Sequence, residues 1–138
     1  MKYTAQAHWE GSLKSGKGTL STQSGALKKA RYSFRSRFTE GNEGTNPEEL
    51  LAATHAGCFT MAVCANLTQK GFDPRTLDTE AVVTMEEQGI TGIHLSISGQ
   101  VENLSEDEFE HVVSQEGKNC IISKALQVPI STRSRLVA

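Results

Sequence analysis

The fold is decided by one long stretch of the sequence, residues 46–71, NPEELLAATHAGCFTMAVCANLTQKG. Asn46 is a favourable N-cap, Pro47 suits the first helical position, and the two glutamates that follow favour the positive end of a helix. Gly57 is the one residue within the stretch that weakens a helix, and a glycine at the end is a typical stop. The pattern predicts one helix over residues 47–70.

Small and apolar residues recur along this helix at helical spacing. They are Leu50, Leu51, Thr54, Cys58, Met61, Ala62 and Ala65. The sequence therefore predicts that this stripe packs against another element. Alanines and Gly57 keep much of the remaining surface small, so a second helix can approach closely.

Strands and shorter helices make up the rest of the sequence. Alternating patterns and turn residues predict strands over residues 3–10, 17–23, 31–39, 77–86, 92–101 and 127–137. Ser105, with Glu108 three residues on, starts a second helix as a capping box, and this helix ends near Gly117. A short segment, residues 119–126, follows it. Such an order defines an α+β class, and 138 residues fit a single domain over residues 1–138.

Composition narrows the class of function. A net charge of -2 gives no electrostatic reason to expect nucleic acid or an anionic membrane as a partner. No apolar run approaches the ~20 residues that a membrane span needs, and the N-terminus lacks a signal-peptide core. We therefore expect a cytoplasmic protein. The hydrophobic share of 37% is slightly thin, which favours oligomerisation.

The sequence contains three cysteines, an odd number that argues against a secreted disulfide scaffold. Cys58 and Cys64 are separated on the predicted helix by roughly 9 Å of rise and ~120° of direction, too far for a disulfide. Cys120 lies on another element and can pair with either. Free cysteine is often buried, so one interpretation is a non-enzymatic binding protein with Cys58 in its core. Cys64 is interpreted as a core residue.

His55 precedes Cys58 by three residues, which makes the two side chains neighbours on the helix surface. The pair is a candidate nucleophile and base of a cysteine-dependent hydrolase, against the alternative of a half-exposed helical histidine. No Cys/His spacing is typical of a zinc site. The Gly-rich residues 11–18 lack both dinucleotide and P-loop spacing, so neither a metal nor a nucleotide is expected.

Arg37 and Glu48 are candidate site residues because of what a reactive thiol requires. Taken singly, Arg37 is a surface strand residue and Glu48 a carboxylate at a helix N-terminus. A thiolate is the nucleophile in peroxide reduction, and a guanidinium beside it favours the thiolate and hydrogen-bonds the peroxide oxygens. A carboxylate that holds the guanidinium in place completes such a group of residues.

Several segments together resemble one known family. They are residues 7–11 (AHWEG), 16–18 (GKG), 34–38 (FRSRF), 44–59 (GTNPEELLAATHAGCF) and 119–123 (NCIIS). The chain is identified from them as a member of the OsmC/Ohr family, and His55 with residues 8–11 resembles its OsmC branch. The resemblance covers nearly the whole chain. One departure is Ile121, because relatives often have proline after the second cysteine.

The resemblance implies an intertwined homodimer, with antiparallel sheets from both chains wrapped around long central helices. It also implies a peroxidase that reduces organic hydroperoxides in oxidative and osmotic stress defence. Its two redox cysteines fall on Cys58, which becomes a sulfenic acid, and Cys120, which closes a disulfide with it. The family's arginine falls on Arg37 and its glutamate on Glu48. An external dithiol or lipoyl-type reductant supplies the electrons, so no cofactor is needed.

Helix geometry adds an expectation about how the site is assembled. Glu48 and Cys58 are ten residues apart, which is about 15 Å of rise and ~80° of direction along one helix. A glutamate side chain cannot close that distance within a straight helix. Either the helix bends sharply, for which Gly57 offers a place, or two chains share each site, which the small residues around Gly57 suit better. We therefore expect Arg37 and Glu48 of one chain to serve Cys58 and Cys120 of the other.

Overall fold

The computed structural model describes residues 1–38 and 44–138. The chain forms two compact units, Met1–Leu50 and Leu51–Ala138. Helix α1, Pro47–Gln69, begins in the first unit and continues in the second. Strands and helices are both present, which agrees with the predicted α+β class. A single domain over residues 1–138 stays a prediction.

The first unit is a three-stranded antiparallel sheet. Its strands, in spatial order, are β1, Ala5–Glu10, β2, Lys17–Thr22, and β3, Ala30–Tyr32. Gly18 on the middle strand lies in register with Trp9 on one side and Tyr32 on the other. A Cβ on Gly18 would lie 2.5 Å from the Tyr32 ring and 2.7 Å from the Trp9 ring. Glycine therefore allows the two rings, whose centroids are 5.6 Å apart, to pack over β2.

The third strand is shorter than predicted. β3 ends at Tyr32, and Arg35–Arg37 form a 3₁₀ turn, while residue 39 of the predicted strand lies outside the described residues. The Ser36 hydroxyl donates to the Ser33 carbonyl at 2.6 Å, and the Ser36 amide donates to the Ser33 hydroxyl at 3.1 Å. Such local serine bonds offer the backbone an alternative to the sheet, and here they end the strand.

The second unit contains another three-stranded sheet and the helices packed on it. After α1 come β4, Pro74–Glu86, β5, Gly89–Val101, α2, Glu106–Asn119, α3, Ile121–Ala125, and β6, Ile130–Leu136. β4 and β5 form an antiparallel hairpin. β6 runs parallel to β5, because α2 and α3 carry the chain back before the last strand starts. This last pair differs from the expected antiparallel arrangement.

Side-chain caps confirm both predicted helix starts. The Asn46 side-chain oxygen accepts from the Glu49 amide at 2.8 Å at the start of α1. The Ser105 hydroxyl accepts from the Glu108 amide at 3.2 Å at the start of α2. Each cap satisfies one of the backbone amides that a helix N-terminus leaves unpaired.

The two glycines predicted to end helices behave differently. Gly71 follows α1 with a φ of 93°, the left-handed conformation that favours glycine after a helix. Gly117 is buried inside α2, which continues to Asn119. A Cβ at Gly117 would collide with the Thr132 side chain of β6. Gly117 is therefore a site of close helix–sheet packing, and the helix ends shortly after it, near the predicted position.

Within one chain, the buried row of α1 differs from the apolar stripe seen in the sequence. Its buried residues are His55, Phe59, Val63 and Leu67, which follow i, i+4 spacing. They belong with the buried side chains of β5 and α2, which are Ile93, Leu95, Ile97, Phe109, Val112 and Val113. In the predicted stripe, Met61 is 74% exposed and Cys58 is half-buried. Both faces are apolar, and the one with the larger side chains is buried because it removes more apolar area from water.

Helix α1 also differs from the expectation that no segment is long and apolar enough to cross a membrane. Its 23 residues have a mean hydropathy of 1.4 in their most apolar window, and 22% of that window is buried. The central helix of a protein core passes the same test of length and composition. This one helix is therefore weak evidence for a membrane span.

Candidate active site

Arg37 and Glu48 form a two-point ion pair within the first unit. Arg37 Nε donates to Glu48 Oε2 at 3.1 Å, and Nη2 lies 3.0 Å from Oε1. The side chains are 32% and 17% exposed. Glu48 lies in the first turn of α1, and Arg37 ends the 3₁₀ turn beneath Phe34, whose ring centroid is 6.0 Å from the guanidinium carbon. A pair of this kind fixes the plane of the guanidinium as well as its position.

An apolar cavity of about 280 Å³ adjoins the arginine in the same unit. It is lined by Trp9, Leu13, Tyr32, Ser33, Phe34, Arg37 and Pro47. Aromatic rings therefore line the space next to a charged donor, a combination that suits a ligand with an apolar body and a polar head.

Cys58 and Cys120 line one cavity of about 530 Å³ in the second unit. The other residues that line it are Met61, Ala62, Ala65, Asn66, Gln69, Gln115, Glu116, Asn119 and Ile121. Both cysteines are free thiols, with Cys58 half-buried and Cys120 buried. Cys64 lies on α1 outside this lining. Of the two pairings that the sequence left open, the structure brings Cys58 and Cys120 to the same space.

The backbone at Cys120 is held between two helices. Its amide donates to the Glu116 carbonyl at 3.0 Å, and its carbonyl accepts from the Lys124 amide at 3.0 Å. Its φ of -62° and ψ of 152° are the extended conformation that a following proline would impose. Ile121 occupies the first position of α3, where proline is tolerated because the amide has no partner within the helix. The departure at Ile121 thus leaves the cysteine backbone in the conformation that proline favours.

His55 is fully buried rather than half-exposed. Its Nε2 lies 2.7 Å from the Ser123 hydroxyl, which lies 3.0 Å from Cys120 Sγ. His55 Nδ1 has no hydrogen-bond partner among the described residues. Burial lowers the pKa of His55, so the imidazole is neutral at pH 7.

This arrangement does not support a hydrolase that uses Cys58 and His55. The partner of His55 Nε2 is Ser123, and no bond from Nδ1 reaches Cys58. A nucleophile and its base need a hydrogen bond between them, so the predicted Cys58–His55 pair is not formed. The hydrogen-bond partner of His55 comes from α3 instead, 68 residues later in the chain.

The structure thus brings the predicted site residues together in two groups, Arg37 with Glu48 and Cys58 with Cys120. Sequence reasoning missed Ser123, although it stands in the segment NCIIS that carried part of the resemblance. Ser123 follows Cys120 by three positions, and residues at this spacing lie on one face of a helix. This spacing could have indicated that the two side chains are neighbours. Within residues 1–38 and 44–138, no group of three or more His, Cys, Asp or Glu side chains is placed to hold a metal ion.

Comparison with solved structures identifies the fold. An OsmC-like protein from Mycoplasma pneumoniae matches with a TM-score of 0.79 at 18% identity, over 100% of this chain and 99% of that one. The organic hydroperoxide resistance protein OhrB of Bacillus subtilis matches with a TM-score of 0.64 at 22% identity, over 97% of this chain and 98% of that one. Both are full-length matches of the α+β architecture.

Sequence comparison identifies the family. Residues 40–134 match the family described as OsmC-like protein. Peroxiredoxin OsmC of Escherichia coli is 42% identical over 130 residues, which cover 91% of this chain and 90% of that protein. The chain therefore belongs to the OsmC-like family, as its sequence predicts.

The buried histidine makes the stability of the fold depend on pH. Because the folded state lowers the pKa of His55 below the 6.5 of an ordinary histidine, the unfolded chain binds the proton more readily. The free energy of unfolding should then be insensitive to this group above about pH 7. It should fall as the pH drops below 6.5, by at most about 1.4 kcal/mol per pH unit.

Urea unfolding at several pH values between 7.5 and 5 measures this change in the free energy of unfolding. His55→Gln should remove this acid-side loss, whereas the control His111→Gln, on the exposed face of α2, should keep it. Identical pH curves for the wild type and His55→Gln would contradict the prediction.

Proposed function

We propose that this protein is a thiol-dependent peroxidase that reduces organic hydroperoxides to alcohols, in oxidative and osmotic stress defence. Cys58 is the thiol that the peroxide oxidises, and Cys120 is the thiol that resolves the product. The observation that carries the proposal is that Cys58 and Cys120 line the same cavity. The names of the relatives support it, since they include a peroxiredoxin and an organic hydroperoxide resistance protein-like protein of Staphylococcus epidermidis.

The difference in burial suits the two roles. Cys58 is half-buried, so a peroxide can reach its sulfur, and attack breaks the O–O bond, releases an alcohol and leaves a sulfenic acid. Cys120 is 3% exposed, which shields it from peroxide in solution. Its thiol then condenses with the sulfenic acid, forming a disulfide and water. An external dithiol or lipoyl-type reductant returns both cysteines to thiols by exchange, so no cofactor takes part.

The ion pair of Arg37 and Glu48 supplies the electrostatic part of the proposal. Glu48 engages Nε and Nη2 of the guanidinium, which leaves Nη1 for a thiolate or a peroxide oxygen. A guanidinium fixed in this way favours the thiolate form of a nearby cysteine and polarises the bond that breaks. The apolar cavity beside Arg37 favours a hydroperoxide with an organic tail over hydrogen peroxide, because burial of apolar surface adds to affinity.

A homodimer is part of the same proposal. Helix α1 has one buried face and a second apolar face that includes exposed Met61. Small residues along that face allow another helix to approach closely, and a second copy of the chain has the matching surface. Because ten helical residues rise about 15 Å, Arg37 and Glu48 of one chain serve Cys58 and Cys120 of the other. The thiol cycle requires a reducing compartment, and we place the protein in the cytoplasm.

The peroxidase assignment is tested by removing each cysteine in turn. Cys58→Ser should reduce consumption of cumene hydroperoxide with dithiothreitol to the uncatalysed rate, because the nucleophile is gone. The matched control is Cys64→Ser on the same helix, which should stay close to the wild type. Cys120→Ser should release alcohol once and then accumulate sulfenic or sulfinic acid on Cys58. Full activity of Cys58→Ser, or loss of activity in Cys64→Ser, would overturn the assignment.

The shared site is tested by mixing two inactive proteins. One carries Cys58→Ser, and the other carries Arg37→Ala with Glu48→Ala. After they are unfolded and refolded together, a heterodimer should regain peroxidase activity, because one of its two sites then has every group in its wild-type form. Native mass spectrometry confirms that the heterodimer is present. A confirmed heterodimer without activity would show that each site is built within a single chain.

A further inference from the structure

A buried chain of three side chains ends on the sulfur of Cys120. His55 Nε2 lies 2.7 Å from Ser123 Oγ, and Ser123 Oγ lies 3.0 Å from Cys120 Sγ. The three residues are 0%, 5% and 3% exposed, so solvent does not compete for these hydrogen bonds. This chain of hydrogen bonds joins α1 to the short helix α3 inside the second unit.

The direction of the hydrogen bonds follows from the unpartnered ring nitrogen. A proton on His55 Nδ1 would be a buried donor without an acceptor among the described residues, and buried donors without an acceptor are rare in proteins. The proton of the neutral imidazole therefore lies on Nε2 and is donated to Ser123 Oγ. A serine hydroxyl has one hydrogen, and with Nε2 already donating to its oxygen, that hydrogen is directed to Cys120 Sγ.

A contribution to the stability of the fold does not explain why His55 is buried at the end of these hydrogen bonds. A buried imidazole with an unsatisfied nitrogen costs free energy, and an apolar side chain of similar size at position 55 would avoid that cost. The neighbours of His55 along the same face, Phe59 and Val63, are apolar and fully buried. A costly polar group in an otherwise apolar row points to a role in the chemistry of the thiol at its end.

We propose that Ser123 and His55 are positioning residues for the second thiol, because together they direct a hydroxyl donor at the sulfur of Cys120 and accelerate disulfide closure. The inference rests on the proposed function, in which Cys120 resolves the sulfenic acid. In that step Cys120 sulfur attacks Cys58 sulfur, the S–O bond of the sulfenic acid breaks, and the hydroxyl leaves as water with the proton of the Cys120 thiol. Cys120 sulfur is oxidised and Cys58 sulfur is reduced, so no further reagent is needed.

Two effects of the hydrogen bonds from His55 through Ser123 to Cys120 favour disulfide closure. As the Cys120 thiol loses its proton, negative charge develops on sulfur, and the Ser123 hydroxyl stabilises that charge by donation. The neutral His55 ring strengthens this donation and holds the serine rotamer, because its own N–H binds the serine oxygen. Neither effect touches the first step, in which Cys58 meets the peroxide.

The test separates the two steps in a single turnover. Reduced protein receives one equivalent of cumene hydroperoxide, and acid-quenched samples are assayed for released alcohol and, by mass spectrometry, for the Cys58–Cys120 disulfide and Cys58 sulfinic acid. In Ser123→Ala, alcohol release should match the wild type. Disulfide closure should slow by about tenfold or more, because the loss of one hydrogen bond to a charged group corresponds to roughly 10- to 150-fold. Sulfinic acid should rise with excess peroxide. Ser114→Ala, exposed on α2, is the matched control and should change neither step.

A pair of histidine variants distinguishes a donor from a merely structural residue. His55→Gln keeps an N–H donor that can reach Ser123, so it should close the disulfide within about threefold of the wild-type rate. His55→Leu keeps the bulk without the donor and should be as slow as Ser123→Ala. Circular dichroism shows whether Ser123→Ala folds. If it does not, the comparison of His55→Gln with His55→Leu tests the inference by itself.

Two outcomes would overturn the inference. One is disulfide closure at the wild-type rate in Ser123→Ala, and the other is closure in His55→Gln as slow as in His55→Leu. Failure of the proposed function looks different, because the wild-type protein itself would then form no Cys58–Cys120 disulfide.

Discussion

Burial of one row of side chains sets the rotation of α1 about its own axis, and the position of Cys58 depends on that rotation. His55, Phe59, Val63 and Leu67 all point into the core at i, i+4 spacing. With that row fixed, Cys58 lies at the edge of the buried face, half-buried, and lines a cavity instead of filling the core. A helix rotated to bury the other apolar face would hide the thiol and expose Phe59. The size of the apolar side chains thus decides how far Cys58 is exposed.

Each of the two units holds its own group of predicted site residues in a fixed arrangement. In the first unit, the bend created by Ser33 and Ser36 ends β3, and the Asn46 cap starts α1, so that Arg37 and Glu48 meet in a two-point ion pair. In the second, helices α2 and α3 hold the backbone of Cys120 in one conformation. Groups that are ordered in advance pay little entropy when they meet a substrate, which is the main physical advantage of such a scaffold.

What the sequence predicts well is local. The Asn46 and Ser105 caps, the helices that follow them and most strand positions depend on neighbours within four residues, and the structure confirms them. The row of α1 that the core of one chain buries differs from the apolar stripe seen in the sequence, because both faces are apolar and only the rest of the core decides between them. The parallel β6 depends on a crossover, and the contact of His55 with Ser123 spans 68 residues of chain. Rules of helical spacing apply to residues a few positions apart, so they give no information on a contact between residues so far apart in the sequence.

The roles of Cys58, Cys120, Arg37 and Glu48 stay predictions, although the structure places them in two groups.

The central claim is that Cys58 and Cys120 are one redox pair, and a count of free thiols tests it most directly. The reduced protein has three cysteines. The folded, reduced protein first reacts with one equivalent of an organic hydroperoxide. It is then denatured, and its unreacted thiols are alkylated and mapped by mass spectrometry. A single free thiol, located at Cys64, is expected. All three thiols still free, or a disulfide or oxidised sulfur that includes Cys64, would contradict it.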